Sequence, residues 1–574
     1  MKHALLQELL SLDTTKVSEM LMILLKGKCD STEYHIKSMI TAYLLYKIQT
    51  TCNYSSLNEF LDKTENKNYI REMLEKYGLD CWEIANSSQS KFTAYELLSY
   101  VLFHNPTDVR RSEEESTPIG VLKLVSRILN IQKNDRILDI CSGKGNFGVI
   151  AKMFDNYSSY TGVELNYRRS EIAKFRLTLL EVEFNIVLSD ALEYRTDSKV
   201  DKVFSNYPFA LNVMTQQYKE LMEKEFGISK SVYQRISTDW LFNLVALNQL
   251  NDTGKAVVII RNGSTWNDVD KTMRQYFVEN GFVEAVISLP TKLFDTFAIP
   301  VSLLVLSKNN QFVKMVDASS CCDVIRRKNV ITDAHIEQIL HFLENEGSNS
   351  VVKTIEELSN NDYVLNASRY LNVLPDFKNG VEFGTVIKHI TRGAQVKATV
   401  LDEYKSNFPT NFRYLLLSNM NDGVISIEEN EQYLAEIPPK LEKYLIKNNS
   451  LVLSKIGMPI FKSAVAQVGD GTKIIANGNL FVIELDEEKV NPYYIQAFLA
   501  SDLGGMVLKS IYAGDTILNL SLDKLKKMVI PLPSVEEQNK IAVKYAAYMD
   551  QLAYLRSKEK STIIKMKHVF TEEE

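Results

Sequence analysis

Asn206, Tyr207, Pro208 and Phe209 stand where a run of strand-forming residues, Asp201-Lys-Val-Phe-Ser205, stops. A strand ending this way offers one amide oxygen, one main-chain carbonyl oxygen and one flat ring to a planar NH2 group. That pattern suits methyl acceptance by an aromatic amine. The nitrogen lone pair of such an amine is delocalised into its ring, and it attacks a methyl sulfonium well only when its hydrogens point at acceptors that favour a tetrahedral nitrogen. In this reading the side-chain oxygen of Asn206 and the main-chain oxygen of Tyr207 take the two N–H bonds. Pro208 fixes the local turn and Phe209 stacks on the base. Acceptors fixed in advance stabilise positive charge growing on nitrogen, and alignment lowers the entropic barrier. No histidine base is required, which suits a chain whose seven histidines are scattered. A base inside a duplex cannot reach such a pocket and has to be rotated out of the stack.

A second strand end lies upstream, in Arg136-Ile-Leu-Asp139-Ile-Cys141-Ser-Gly143-Lys-Gly145-Asn-Phe147. Its Gly-rich turn can hold a nucleoside cofactor, although Gly143 and Gly145 alone serve NAD, FAD and S-adenosylmethionine equally. Glu164 closes the next strand and can accept from ribose hydroxyls. Asp190 closes the third, where a carboxylate can accept the exocyclic amine of a cofactor adenine. Each residue alone reads equally well as an ordinary turn residue capping a strand. All four strand ends in this order make a donor site beside an acceptor site.

The elements that must hold these residues follow from the pattern. From Arg136 to about Asn309, short β-branched runs alternate with amphipathic segments, the signature of a parallel sheet covered on both faces. The expected strands are Arg136 to Cys141, Tyr160 to Leu165, Asn185 to Ser189, Lys202 to Ser205, Ala256 to Arg261, Val283 to Leu289 and Val301 to Ser307. Helices are expected at Trp240 to Leu250 and Val269 to Asn280. Seven strands with no helix between the last two fit a doubly wound α/β methyltransferase sheet better than a dehydrogenase sheet.

Around this core the chain divides by composition. Residues 1–105 carry helical spacing (Leu5, Leu6, Leu9, Leu10, then Met20, Leu21, Ile23, Leu24, Leu25) and read as an amino-terminal helical domain. A polar, Pro-punctuated loop from His104 leads to a helix beginning near Pro118, and residues 106–320 form the catalytic domain. Residues 321–375 read as a connector with some helix. Residues 376–535 carry short strands and turns such as Asn421-Asp422-Gly423 and Gly469-Asp470-Gly471. Residues 536–574 read as a long helix on which Ile541, Tyr545, Tyr548, Leu552 and Leu555 make a heptad seam that wants a partner.

The 574 residues, 45% hydrophobic and 24% charged, predict a soluble multidomain protein. Six cysteines without CxxC spacing point to a reducing cytoplasm and to no structural metal. The early charges of Met1-Lys-His exclude a secretory signal, and no apolar run reaches membrane-spanning length. A net charge of −6 argues against a histone-like coat but decides little about a cleft.

Taken together, Thr117-Pro118, Asp139-x-Cys-x-Gly-x-Gly-x-Phe147 and Asn206-Tyr-Pro-Phe209 resemble an adenine-N6 DNA methyltransferase of the gamma motif order, closest to Type I modification subunits. Gly281-Phe-Val-Glu-Ala-Val-Ile-Ser-Leu-Pro290-x-x-Leu-Phe294, Ile299-Pro300-Val-Ser-Leu-Leu-Val-Leu306 and Val316-Asp-Ala-Ser319 extend the resemblance, which covers roughly residues 105–320. It implies that Thr117, Pro118, Asp139, Cys141, Gly143, Gly145, Phe147, Glu164, Asp190 and Asn206 bind S-adenosylmethionine. Tyr207 departs from the family's usual proline. That position contributes mainly its carbonyl, so activity is expected to survive.

The carboxy-terminal third resembles half of a Type I specificity subunit. The resemblance rests on Phe412-Arg-Tyr-Leu-Leu-Leu-Ser-Asn-Met-Asn-Asp-Gly-Val-Ile425, Leu451-Val-Leu-Ser-Lys-Ile-Gly457, Ala476-Asn-Gly-Asn-Leu480 and the run from Leu520 through Ile530-Pro-Leu-Pro533 to Gln538. It implies a target-recognition domain for double-stranded DNA, with Lys455, Lys462 and Lys473 as candidates for phosphate contacts. One recognition half per chain implies a homodimer through the terminal helix. The first hundred residues lack a carboxylate-plus-Glu-x-Lys arrangement, so cleavage is expected to need a separate restriction subunit. Two other readings stay open on the residues: a protein glutamine methyltransferase, and a catalytically silent DNA-binding or assembly protein of a defence system.

Overall fold

The computed structural model describes residues 3–27, 33–51, 54, 56–64, 66–88, 91–104, 116–154, 157–180, 183–196, 198–209, 211, 215–233, 236–294, 299–326, 328–371, 377–396, 403–421, 423–425, 432–457, 461–511 and 518–568. The expected polar loop at 105–115, Asp422 of the expected turn and the tail from Thr571 lie outside them. The chain forms two compact units, Met1–Leu371 and Asn372–Glu574.

The first unit is built on a mixed sheet. Its strands are β1 (Arg136–Ile140), β2 (Ser159–Glu164), β3 (Phe184–Leu188), β4 (Val200–Ser205), β5 (Leu250–Arg261), β6 (Val283–Ser288), β7 (Val301–Leu306) and β8 (Phe312–Asp317). A ribbon of β9 (Asp323–Ile325) and β10 (Lys328–Val330) follows, and then β11 (Ser350–Thr354). The sheet order is β11-β8-β6-β7-β5-β4-β1-β2-β3. β7 runs antiparallel to β5 and β6, and β11 antiparallel to β8; the other pairs are parallel. The expected α/β class and all seven expected strands are present. β8 and β11 widen the sheet to nine strands, and β11 comes from residues 321–375, expected as a connector.

Strand periodicity explains why the sheet is buried on both sides. Along β5, Val257 and Ile259 enter one apolar cluster while Ala256, Val258 and Ile260 enter the other. β7 repeats the division, with Leu303 and Val305 on one side and Leu304 and Leu306 on the other. Successive side chains point to opposite faces, so a continuous apolar run is stable only where helices cover both. Each such side chain contributes about 1.5–3 kcal/mol of burial. Helices Ile119–Leu129 and Asn146–Phe154 supply one cover, and Thr238–Gln249 and Lys271–Glu279 the other.

The amino-terminal segment is helical as expected, from His3–Ser11 to Ala94–Phe103. The last helix is started by a capping box in which the Thr93 hydroxyl accepts from the Glu96 N–H and the Glu96 carboxylate accepts from the Thr93 N–H. Ile172 and Phe175 of helix Tyr167–Leu179 join the helical segment's apolar cluster. On the same helix, fully buried Arg176 donates to the carbonyls of Val101 (3.0 Å) and His104 (2.7 Å), to that of Lys144 in the Gly-rich turn, and to the Asn146 side chain. One guanidinium thus ties the helical segment to the Gly-rich turn after β1.

The second unit holds a four-stranded sheet, in the order Ile387–Arg392, Leu480–Leu485, Leu451–Ser454, Ser463–Val465, and a three-stranded one of Tyr433–Leu434, Phe412–Leu415 and Lys473–Ala476. Helix Val535–His568 closes it. Buried Gln538 anchors that helix: its amide nitrogen donates to the carbonyls of Lys489 and Pro533, and its oxygen accepts from the Asn491 N–H. Tyr545, expected on the outer seam, faces its own unit beside Gly423, whereas Ile541, Tyr548, Leu552 and Leu555 are exposed.

Candidate active site

The strand register sets the four expected strand ends side by side. Ile140 of β1 lies level with Val163 of β2 and Ser205 of β4, and Glu164 of β2 with Leu188 of β3. Asp190, Glu164, Cys141 and Asn206 therefore follow one another along one edge, across three strand spacings of roughly 14 Å. That edge is the carboxyl end of the parallel strands, where open α/β sheets bind ligands.

The turn after β1 is made by left-handed backbone at alternate residues: Cys141 (φ 64°), Gly143 (φ 57°) and Gly145 (φ 74°). Cys141 adopts this conformation although it carries a Cβ, a local strain of the kind that collects at functional loops. A Cβ on Gly143 would meet nothing within 4 Å, so the turn is open there for close approach of a ligand. A Cβ on Gly145 would lie 3.0 Å from Ala173, so this glycine serves helix packing. Glu164 binds the turn from below, accepting from the N–H groups of Gly143 (2.8 Å) and Asn166 (2.7 Å). Burial raises its pKa, and those backbone bonds pull it back. Each carboxylate oxygen keeps acceptor capacity for a hydroxyl.

Asp190 is arranged similarly, with one oxygen accepting from the Leu192 N–H and the other from the Tyr218 hydroxyl at 2.9 Å. Two expected contacts turn inward instead. Asp139 is buried, accepts from Tyr160 at 2.6 Å and has its pKa pushed up to about 8, chiefly by burial and further by the Glu164 charge. The Phe147 ring packs 4.4 Å from Phe204 in the core and serves the sheet, not the ligand edge.

At the acceptor end, the Asn206 side-chain nitrogen donates to the Thr117 hydroxyl at 2.8 Å. Thr117 and Pro118 lead into helix Ile119–Leu129, so the segment expected against the cofactor also borders Asn206. The Tyr207 ring is buried and stacks on Phe242 at 4.7 Å and 7°. Half-buried Phe209 meets Tyr207 edge to face. Sequence reading gave no role to Leu165, which is 72% exposed directly after Glu164, or to Tyr218 and Arg176. Leu165 had a local signal, an apolar residue just past a strand end; the other two are joined to the site only by chain reversal.

In the second unit, the Lys462 ammonium donates to the Asn421 side chain at 2.9 Å and Lys473 is exposed at its strand start. Lys455 has its pKa lowered by burial and by neighbouring Arg392. Among the described residues, no helix is long and apolar enough to cross a membrane.

A sheet of this order, with a glycine turn after β1 and Asn-Tyr-Pro-Phe after β4, defines a doubly wound methyltransferase fold. Residues 94–376 match the N-6 DNA Methylase family and residues 401–563 the Type I restriction modification DNA specificity domain. The chain thus carries an N-6 DNA methylase domain followed by a specificity domain. It is 25% identical over 338 residues to the Type I restriction enzyme MpnII methylase subunit of Mycoplasma pneumoniae, across 54% of this chain and 62% of that one. It is 27% identical over 322 residues to the MjaVII methylase subunit of Methanocaldococcus jannaschii, across 50% and 54%. The chain therefore spans under two thirds of the length of these relatives. A type I methyltransferase subunit structure from Streptococcus thermophilus aligns with a TM-score of 0.47 at 18% identity, across 62% of this chain and 99% of that one.

Proposed function

We propose that this chain is an S-adenosylmethionine-dependent DNA methyltransferase acting on N6 of an adenine turned out of the duplex, at a site read by its own second unit. The observation carrying this reading is the bond from the Asn206 nitrogen to Thr117. With its donor engaged there, the amide directs its acceptor oxygen to the substrate amine, the polarity this chemistry needs.

The residues present fit the cofactor. Gly143 leaves the turn open, Glu164 and Asp190 retain acceptor capacity, and Leu165 offers an apolar face. When bound, S-adenosylmethionine supplies a methyl group on a sulfonium centre. The chain's own work is to hold the amine: the Asn206 oxygen and the Tyr207 carbonyl accept its hydrogens, and Phe209 stacks on the base. Acceptors fixed by the fold favour the charge that develops on nitrogen without reorganising.

In this reading residues 1–105, 106–320, 321–375, 376–535 and 536–574 are the helical, catalytic, connecting, recognition and pairing segments of a cytoplasmic enzyme. Lys455, Lys462 and Lys473 approach phosphates. Two chains pair through the terminal helix, and any cleavage belongs to a separate subunit. Incubation with methyl-labelled cofactor and genomic DNA tests the activity. Methyladenine in DNA, lost in Asn206→Ala, is the expected result. Label on protein glutamine, or no label, would overturn it.

A further inference from the structure

The ribbon β9–β10 belongs to no core. Val324 and Ile325, neighbours on one strand whose side chains point to opposite faces, are 73% and 52% exposed. A two-stranded ribbon open on both faces is marginal by itself, so its persistence needs an anchor. Asn329 supplies one: its N–H donates to the Lys292 carbonyl (3.0 Å) and its side chain to the Thr291 carbonyl (2.7 Å). Thr291 and Lys292 lie just past the end of β6, and the ribbon follows the end of β8.

This anchorage decides where the ribbon stands. β6 and β8 are parallel to each other, and both are parallel to β5 and β4 because β7 reverses between β5 and β6. Their carboxyl ends therefore share the edge that carries Asn206. In the sheet order, β6 lies three strands from β4. That is roughly 14 Å, less than half of a duplex turn of about 34 Å. The ribbon's strands end at Ile325 and resume at Lys328, and Lys292 beside it is exposed, as is Arg326. Asp323 opens the ribbon's first strand, and Asp13 lies within electrostatic reach of Arg326.

We infer that this ribbon is a second DNA-binding element, carried by the catalytic unit, that docks on the substrate duplex beside the extruded base. Lys292, Arg326 and Lys328 take phosphates while the ribbon enters the groove edge-on, Val324 and Ile325 on its opposite faces turned to the two groove walls, the groove's width admitting two strands. Cationic groups on the edge that holds the acceptor pocket complement a phosphate backbone; the apolar pair explains why the ribbon carries β-branched residues in open solvent. The inference rests on the DNA reading above and deepens it, because the register of the methylated base is then held by both units.

The test uses the full chain, an unmethylated duplex and fluorescence anisotropy between about 50 and 200 mM salt. In the double variant Lys292→Ala, Arg326→Ala, the slope of log Kd against log salt should shrink by about two, roughly one per lost phosphate contact. Asp323→Asn should bind more tightly than the unaltered chain, which keeps the question decidable if the double variant misfolds. Normal binding by the unaltered chain with unchanged slope and no gain from Asp323→Asn overturns the ribbon alone. No binding by the unaltered chain overturns the DNA reading as well.

Discussion

The Asn206 amide nitrogen and the Thr117 hydroxyl lie 2.8 Å apart, joining the end of β4 to the entry of helix Ile119–Leu129 across 89 residues of sequence. An unrestrained amide can flip and present N–H groups where acceptors are required; this bond holds it one way. Thr117→Val keeps the shape and removes the hydroxyl. Turnover is expected to fall about 10–100-fold, equivalent to ~1.4–2.7 kcal/mol of barrier, while calorimetric cofactor affinity stays near that of the unaltered chain. If the whole loss appeared in cofactor binding, Thr117 would be a ligand contact and not an orienting group.

Tyr207 makes a different use of its side chain. The ring lies flat on Phe242 in the core, and among the described residues its buried hydroxyl has no hydrogen-bond partner. A buried donor left unmade costs about 1–3 kcal/mol. Tyr207→Phe is therefore expected to match or exceed the unaltered chain in urea stability, with methyl transfer retained. Tyr207→Ala removes the ring and should lower stability by about 3–5 kcal/mol. A Phe variant as unstable as the Ala variant would mean that the hydroxyl is satisfied.

The contrast between these two residues marks what a sequence makes legible. Strand ends β1 to β4 were readable because an apolar run and the turn residues that stop it are neighbours in sequence, and period two fixes which residues emerge at the edge. Gly143 and Gly145 were readable as a pair, but their different duties depend on whether Ala173 stands opposite. Sequence places Thr117 at the cofactor, and it also bonds Asn206; sequence places Phe147 there too, yet it packs on Phe204. β11 is short and lies after a charged stretch, so only its pairing with β8 identifies it. Arg176 carries no local signal, since its partners come from two segments distant in sequence, 101–104 and 144–146.

Asp139 predicts a pH dependence. Its folded pKa is pushed up to about 8, above the ordinary 3.8, with burial the main cause. Between those values the folded chain holds a proton that the unfolded chain has released. The unfolded state binds fewer protons, so the stability contributed by this group declines as pH rises from about 4 to 8. Asp139→Asn cannot titrate and should flatten that part of the profile, gaining most relative to the unaltered chain near pH 8. Urea midpoints at pH 5 and 8 measure it; identical slopes in both proteins would place the charge elsewhere.

The terminal helix makes the last prediction. Gln538 and Ala542 seat its first turns on its own unit, and Tyr545 continues that contact at Gly423. Beyond it, Tyr548, Leu552 and Leu555 are exposed at helical spacings of four and three, an apolar stripe left in water. If two chains bury this stripe against each other, Leu552→Lys with Leu555→Lys places charge at the centre of the seam. Light scattering should then report a dimer for the unaltered chain and a monomer for the variant. The variant's melting temperature at low concentration should stay close to normal, because these exposed side chains belong to none of their own unit's core clusters. Loss of methyl transfer together with dimerisation would make pairing part of target recognition; a unaltered chain that is monomeric both alone and on DNA would exclude the seam.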